Sequence, residues 1–150
     1  MSRRHKVAVW RSLMEVHAAV LLEIENALER EHDLSLNEFD TLINIPVEGV
    51  RFRELTHRVI LSQSALSRLV DRLEQRGLVL RYADEHDSRS VEIAFTEAGR
   101  HLTRKAARTN ATAVEGAFAD RLSEAELDYL HAVFYRLLGE GEMAGGDAPH

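Results

Sequence analysis

Between Leu61 and Phe95 the apolar pattern changes period, and this change limits the fold more than any other feature of the 150 residues. Leu66, Leu69, Val70 and Leu73 stand at i, i+3, i+4 and i+7, a single apolar stripe on a helix. Ser62 sits directly before the run as a suitable N-cap and Gly77 directly after it as a C-cap, so the spacing predicts a helix over 63–76. The period then falls to two: Leu78 to Tyr82 and Ser90 to Phe95 read as strands. The loop between them, Asp84-Glu85-His86-Asp87-Ser88-Arg89, carries one arginine among three acids.

The flanks complete an order of elements. Residues 7–31 repeat Val9, Leu13, Val16, Val20, Ile24 and Leu28 at helical spacing with no Gly or Pro to interrupt them. Ser35-Leu36-Asn37-Glu38 offers a capping box, the serine oxygen taking an orphan amide and Glu38 reaching back to the serine amide. A second helix with Phe39, Leu42 and Ile43 should stop before Pro46. Gly49 marks a turn, Val50-Arg51-Phe52 a very short strand, and 53–59 a short helix. Helical pattern returns at Thr96 through Leu102, Ala106, Ala113 and Phe118, and a second capping box, Ser123-Glu124-Ala125-Glu126, opens a last helix. A tight helix pair followed by a β-hairpin is a winged helix-turn-helix, so the expected class is mainly α with a small β-wing (α+β). The expected division is an N-terminal dimerisation helix in 1–34, a winged unit in 35–99, C-terminal dimerisation helices in 100–138, and a disordered tail in 139–150 with four glycines and one proline.

Charge points to the middle of this order. The net charge is −6, which alone argues against a polyanionic partner, yet residues 51–104 hold 10 Arg and no Lys against 8 acids. The remainder holds 9 basic and 17 acidic residues. Cysteine is absent, excluding disulfides, thiolate metal sites and thiol redox sensing, in keeping with a cytoplasmic protein. No apolar run approaches the roughly 18 residues that would span a bilayer, and Met-Ser-Arg-Arg-His-Lys leads into no signal-peptide core.

The outward face of the 63–76 helix presents Gln63, Ser64, Ser67, Arg68 and Arg72 behind the cap Ser62. Its first two turns hold no carboxylate, although a helix N-terminus ordinarily attracts acids. Hydroxyls and amides there suit an incoming phosphate, and short serines permit close approach to base edges. A solvated amphipathic surface helix would also be polar on this face; the missing acids separate the two readings.

The run Ser64-Ala65-Leu66-Ser67-Arg68-Leu69-Val70-Asp71-Arg72-Leu73-Glu74-Gln75-Arg76-Gly77-Leu78-Val79 closely resembles the MarR family of bacterial transcription regulators. So do Asp87-Ser88-Arg89 and, with Phe95 in place of leucine, Phe95-Thr96-Glu97-Ala98-Gly99. The resemblance implies a recognition helix entering the major groove through Ser62, Gln63, Ser64, Ser67, Arg68 and Arg72. It further implies a wing whose Arg89 reaches the minor groove while Asp87 holds Arg89 in place. The first and last helices, 7–31 and 100–138, would interleave into a homodimer. Two positions depart from the family pattern: Ile60 stands where the turn often has glycine, and Arg53 where the preceding helix often starts on serine.

A dimer also follows from length, since a stripe running along helix 7–31, roughly 37 Å long, exceeds what one small winged unit covers. Two-fold symmetry then predicts a palindromic operator, with repression as the default mode. The resemblance implies a ligand crevice between dimerisation and DNA-binding parts, for which Trp10, Arg11, Met14, His17, Phe39 and Ile43 are candidates. An aromatic, a cation and an imidazole suit an aromatic acid or other amphipathic anion; Trp10 as core and Arg11 as surface charge is the competing assignment. No HExxH, Gly-rich phosphate loop or Gly-x-Ser-x-Gly elbow occurs, so neither catalysis nor a cofactor nor a defined metal site is expected. The alternatives are a winged-helix protein-interaction module and a zinc-responsive regulator using histidines and carboxylates.

Overall fold

The computed structural model describes residues 1–83, 85–87 and 89–139; the tail expected over 139–150 therefore lies outside the described residues, Gly139 excepted. Six helices and three short strands follow the expected order: α1 (Arg3–His32), α2 (Leu36–Ile43), β1 (Val50–Arg51), α3 (Phe52–Arg58), α4 (Gln63–Gln75), β2 (Val79–Ala83), β3 (Val91–Phe95), α5 (Glu97–Ala117) and α6 (Glu124–Leu138), with a 3₁₀ turn at Ala119–Arg121.

α1 begins four residues before the apolar repeat because the Ser2 hydroxyl accepts from the His5 amide at 3.3 Å. It ends at Asp33, the one described non-glycine residue with positive φ, at 53°. At α2 only half of the predicted capping box forms. Ser35 Oγ accepts from the Glu38 amide at 3.1 Å and donates to Glu38 Oε1 at 3.2 Å, while Oε2 accepts from Arg76 at 3.2 Å. Engaged on both oxygens, the carboxylate caps through the serine hydroxyl. At α6 the box is complete: Ser123 Oγ accepts from the Glu126 amide, and Glu126 Oε2 accepts from the Ser123 amide at 2.8 Å. The Ser123 amide and, at 2.9 Å, the Ser123 hydroxyl both donate to this carboxylate and hold it below its ordinary pKa.

Gly77 ends α4 as the left-handed residue of a Schellman motif. With φ at +72°, its amide bonds the Glu74 carbonyl at 2.9 Å and the Leu78 amide bonds Leu73 at 3.0 Å. The chain leaves directly into β2, which pairs antiparallel with β3, and β3 pairs with β1, giving the order β1-β3-β2. Val79 stands opposite Phe95 and Val50 opposite Ile93, so Val50, Val79 and Ile93 turn their side chains to the core.

One core joins these elements. Leu28 of α1, Leu34, Leu42 of α2, Leu55 of α3, Leu66, Val70 and Leu73 of α4, Ile93 of β3 and Ala106 of α5 are all fully buried within it. The boundaries expected at 34/35 and 99/100 therefore do not divide the packing. Two regions contribute nothing buried: the first two-thirds of α1, whose buried residues start at Ile24, and all of α6. Val9, Trp10, Leu13, Val16, Tyr129 and Leu137 lie exposed there.

Candidate nucleic-acid interface

α4 is fixed by its apolar stripe: Leu66, Leu69, Val70 and Leu73 are buried, and so the helix must show its other face to solvent. That face carries Ser62, Gln63, Ser64, Arg68 and Arg72, all exposed, with Ser67 half-buried beside them. Ser62 Oγ caps the helix by accepting from the Ala65 amide at 3.2 Å and lies 3.3 Å from Ser64 Oγ. The first turn holds no acid. The α4 amide end, with its partial positive charge, is therefore surrounded by neutral donors.

Ser67 is held from behind. The Arg81 guanidinium of β2 donates to the Ser67 carbonyl at 2.9 Å, approaches Ser67 Oγ at 3.5 Å, and pairs with Asp71 one turn further along α4. The Arg81 amide bonds Glu74 at 3.1 Å. Arg81 and Asp71 thus tie the base of the wing to the middle of the helix.

In the wing, Asp87 Oδ1 accepts from the Arg89 backbone amide at 3.0 Å and the Asp87 carbonyl accepts from Ser90 at 2.9 Å. The expected support by Asp87 is therefore a local turn acting on the main chain of Arg89, and the Arg89 side chain is left exposed. Ser88, between them, lies outside the described residues.

Helix and wing meet across an open cleft of about 580 Å³ that Gln63 and Arg89 both line. Arg51, Arg53, Thr56 and His57 complete it, and were not among the residues expected from sequence. Three arginines and a histidine thus line the cleft, with Asp87 as the acid among its lining residues. The signal for them was in the sequence as Arg51-Phe52-Arg53 inside the lysine-free basic segment. A smaller cleft under the α4 start is lined by Phe52, Ser62, Gln63, Ser64 and Ser67. Arg68 and Arg72 border neither cleft and stand further along the helix. Ile60, at the turn between α3 and α4, is 99% exposed without positive φ, so this turn has no need of the glycine often found there.

A model of the MarR family matches residues 34–91, from the end of α1 through the wing. Over 125 residues the chain is 30% identical to PecS, an HTH-type transcriptional regulator of Dickeya dadantii, a match covering 79% of this chain and 75% of that one. The chain belongs to the MarR family. That family is one of DNA-binding transcriptional regulators, not of enzymes. SarZ of Staphylococcus haemolyticus, also an HTH-type transcriptional regulator, is 32% identical over 74 residues, so there the chain spans only about half of its relative's length. Sco3205 of Streptomyces coelicolor, a MarR-family regulator solved in complex with DNA, shares the fold at a TM-score of 0.79, with 24% identity over 99% of this chain and 95% of that one.

The six residues considered for a ligand crevice are not brought together within this MarR-family chain. Trp10, Arg11, Met14 and His17 are exposed on the unpacked part of α1, Phe39 is buried in the core, and Ile43 is half exposed. α1 first meets the core at Val20 and Leu21, partly buried against it, and is fully buried only from Ile24, about 15 Å beyond Met14 at 1.5 Å per residue. A cleft of about 460 Å³ lies instead between α1 and α5, lined among others by Ala27, Arg30, Arg108, Ala113 and Arg121. Among the described residues no three His, Cys, Asp or Glu side chains are grouped to hold a metal, and no helix is long and apolar enough to cross a membrane.

Proposed function

We propose that this chain is a homodimeric, cytoplasmic repressor that places α4 in successive major grooves of a palindromic operator and the Arg89 wing in the adjoining minor groove. The observation carrying this reading is the cleft shared by Gln63 and Arg89: one surface joins the acid-free start of α4 to the wing and is lined by three arginines. Ser64, Ser67 and Gln63 then face base edges, Arg68 and Arg72 flank them, and Arg51 and Arg53 meet phosphates.

The dimer is supported by what the single chain leaves uncovered. Trp10 is 60% and Leu137 71% exposed, and neither α6 nor the first two-thirds of α1 has any buried residue. Burying each large apolar side chain contributes about 1.5–3 kcal/mol, so a second copy covering both regions is strongly favoured. Pairing of the two copies would also complete any crevice beside Trp10, Arg11, Met14 and His17. An amphipathic or aromatic anion bound there would act by shifting the spacing of the two α4 helices, which needs a few kcal/mol of differential affinity.

The test is affinity against salt for a duplex selected from a random-sequence pool. Each phosphate contact contributes about −0.9 to the slope of log K on log salt, so Arg53→Ala and Arg89→Ala should each flatten it by about one. Arg68→Ala should weaken binding about five- to 150-fold at fixed salt, the loss of about 1–3 kcal/mol that goes with a base-edge contact. A steep slope that none of the three variants alters would refute this assignment of the surface.

A further inference from the structure

Arg76, the residue at which α4 ends, belongs to no part of the proposed DNA surface. Its guanidinium donates through Nη1 to the Asp33 carbonyl at 2.7 Å and to Glu38 Oε2 at 3.2 Å, and through Nη2 to the His32 carbonyl at 3.2 Å. One cation thereby binds the end of α4 to the end of α1 and the first turn of α2. The last carbonyls of a helix lack intrahelical partners and carry partial negative charge, so α1 offers a natural acceptor for it.

The same corner of α1 is held from its other side. His32 Nε2 lies 2.7 Å from Thr109 Oγ1 of α5, and that hydroxyl donates to Glu31 Oε2 at 2.9 Å. The threonine hydrogen is used on Glu31, so the imidazole must be the donor to Thr109, with its proton on Nε2. Residues 32 and 33 are the point where α5, α1 and α4 are joined by polar contacts.

We propose that Arg76 is a positioning residue that sets the angle of α4 against α1, and through it the half-site spacing the dimer selects. The inference rests on the dimeric DNA-binding reading above. Apolar packing through Leu66, Leu69, Val70 and Leu73 and the Arg81 tie to Ser67 and Asp71 act along the body of α4, whereas Arg76 acts at its end, the point farthest from Gln63. A planar guanidinium engaging three acceptors fixes an angle. From Arg76 to Gln63 is 13 residues, about 20 Å of helix. A swing of about 10° at the latch moves the reading end by about 3.4 Å, one base-pair step of a duplex with 10–10.5 pairs per 34–36 Å turn. A partly exposed ion pair contributes only about 0–1 kcal/mol to stability, so geometry is the property most sensitive to its loss.

The experiment uses the full chain and a palindrome that the wild-type protein selects from random duplexes. Affinities are measured for that palindrome, for versions with one pair inserted or removed at the dyad, and for a single half-site. Wild type should discriminate against the altered spacings by about tenfold or more, comparable to one mismatched pair. Arg76→Met should reduce this discrimination to about threefold or less, leaving half-site affinity and salt slope unchanged. Arg76→Lys, with the charge and without the fork, should fall between. Wild-type discrimination in Arg76→Met overturns the proposal, as does an equal loss of affinity for every duplex including the half-site. If Arg76→Met does not fold, Glu38→Gln must still relax spacing selectivity, and unchanged selectivity there overturns it. A wild-type protein that selects no duplex overturns the DNA-binding reading itself, and the proposal with it.

Discussion

Gly99 offers a clean test of how the winged unit is assembled, since the molecule contains its own control at Gly77. A Cβ on Gly99 would lie 1.8 Å from the Leu78 carbonyl oxygen and 2.7 Å from its carbon, both of them backbone atoms. That oxygen also accepts from the Thr96 amide at 3.1 Å, and Thr96 Oγ1 donates to the Gly77 carbonyl at 2.6 Å while capping α5. In Gly99→Ala, α5 must move off the root of β2 by more than 1 Å. Overpacking of this kind costs about 1–3 kcal/mol, and the strained Thr96 to Leu78 bond is worth about 0.5–1.5 more. The sum, about 2–4 kcal/mol, corresponds to a fall in Tm of about 4–16 °C for a domain of this size. Gly77→Ala meets nothing within 4 Å and pays only for its φ of +72°. It should lose about 1–2 kcal/mol. Thermal unfolding of both variants at one protein concentration decides the matter, fixed because dimer formation makes Tm concentration-dependent. A Gly99→Ala protein as stable as Gly77→Ala would refute the close approach of α5 to β2.

The remaining predictions concern charge. Asp40, half-buried in α2, has its carboxyl pushed above the ordinary value of 3.8 by desolvation. A raised native pKa favours the folded state below 3.8, and that advantage is lost as pH rises through the native pKa. Asp40→Asn should accordingly raise stability near pH 7 by urea titration, with the gain vanishing below about pH 4; a gain that persists there would be inconsistent with desolvation as its cause. Arg81→Gln should weaken operator binding more than it lowers Tm, because the arginine holds Ser67 and Asp71 in place on α4. A loss of Tm with affinity intact would assign Arg81 to stability alone. Asp84→Asn with Glu85→Gln, tested on non-specific duplex at low salt, should tighten binding by removing repulsion from phosphates. Weaker binding would show that the wing docks otherwise.

The elements legible in the sequence were those whose ends carry their own chemistry. Ser62 and Gly77 bound α4, Ser123 and Glu126 start α6, and Thr96 starts α5, each by a contact within a few residues of chain. The contacts not legible are between elements. That Glu38 would spend one oxygen on Arg76, 38 residues away, and so cap without reaching the Ser35 amide, depends on where α4 ends in space. Phe39 gives the same lesson in reverse: its apolar character marked it equally for a crevice wall or for the core, and only the packing of α2 against α5 and α1 resolved it into the core.

The wing shows why charge content alone misjudges such a surface. Counted along the chain, Asp84, Glu85 and Asp87 outnumber Arg89 and suggest repulsion from a polyanion. Asp87, however, is engaged through Oδ1 with the Arg89 amide, and a carboxylate accepting a main-chain hydrogen bond there shapes the turn that presents the arginine. Arg81 is subtracted from the other side of the count, because it faces back onto Ser67 and Asp71 and offers its charge to the helix. The arginines that line the cleft come instead from β1, α3 and the wing, where Arg89 is distant in sequence from Arg51 and Arg53 and close to them in space. Antiparallel pairing of β1 with β3 brings them there, since Val50 opposite Ile93 sets Arg51 beside Glu92 and carries the start of α3 toward the wing. The electrostatic character of the surface is thus a product of strand register, and a register shift of one residue would turn Arg51 to the opposite face and bring its buried neighbour Val50 outward.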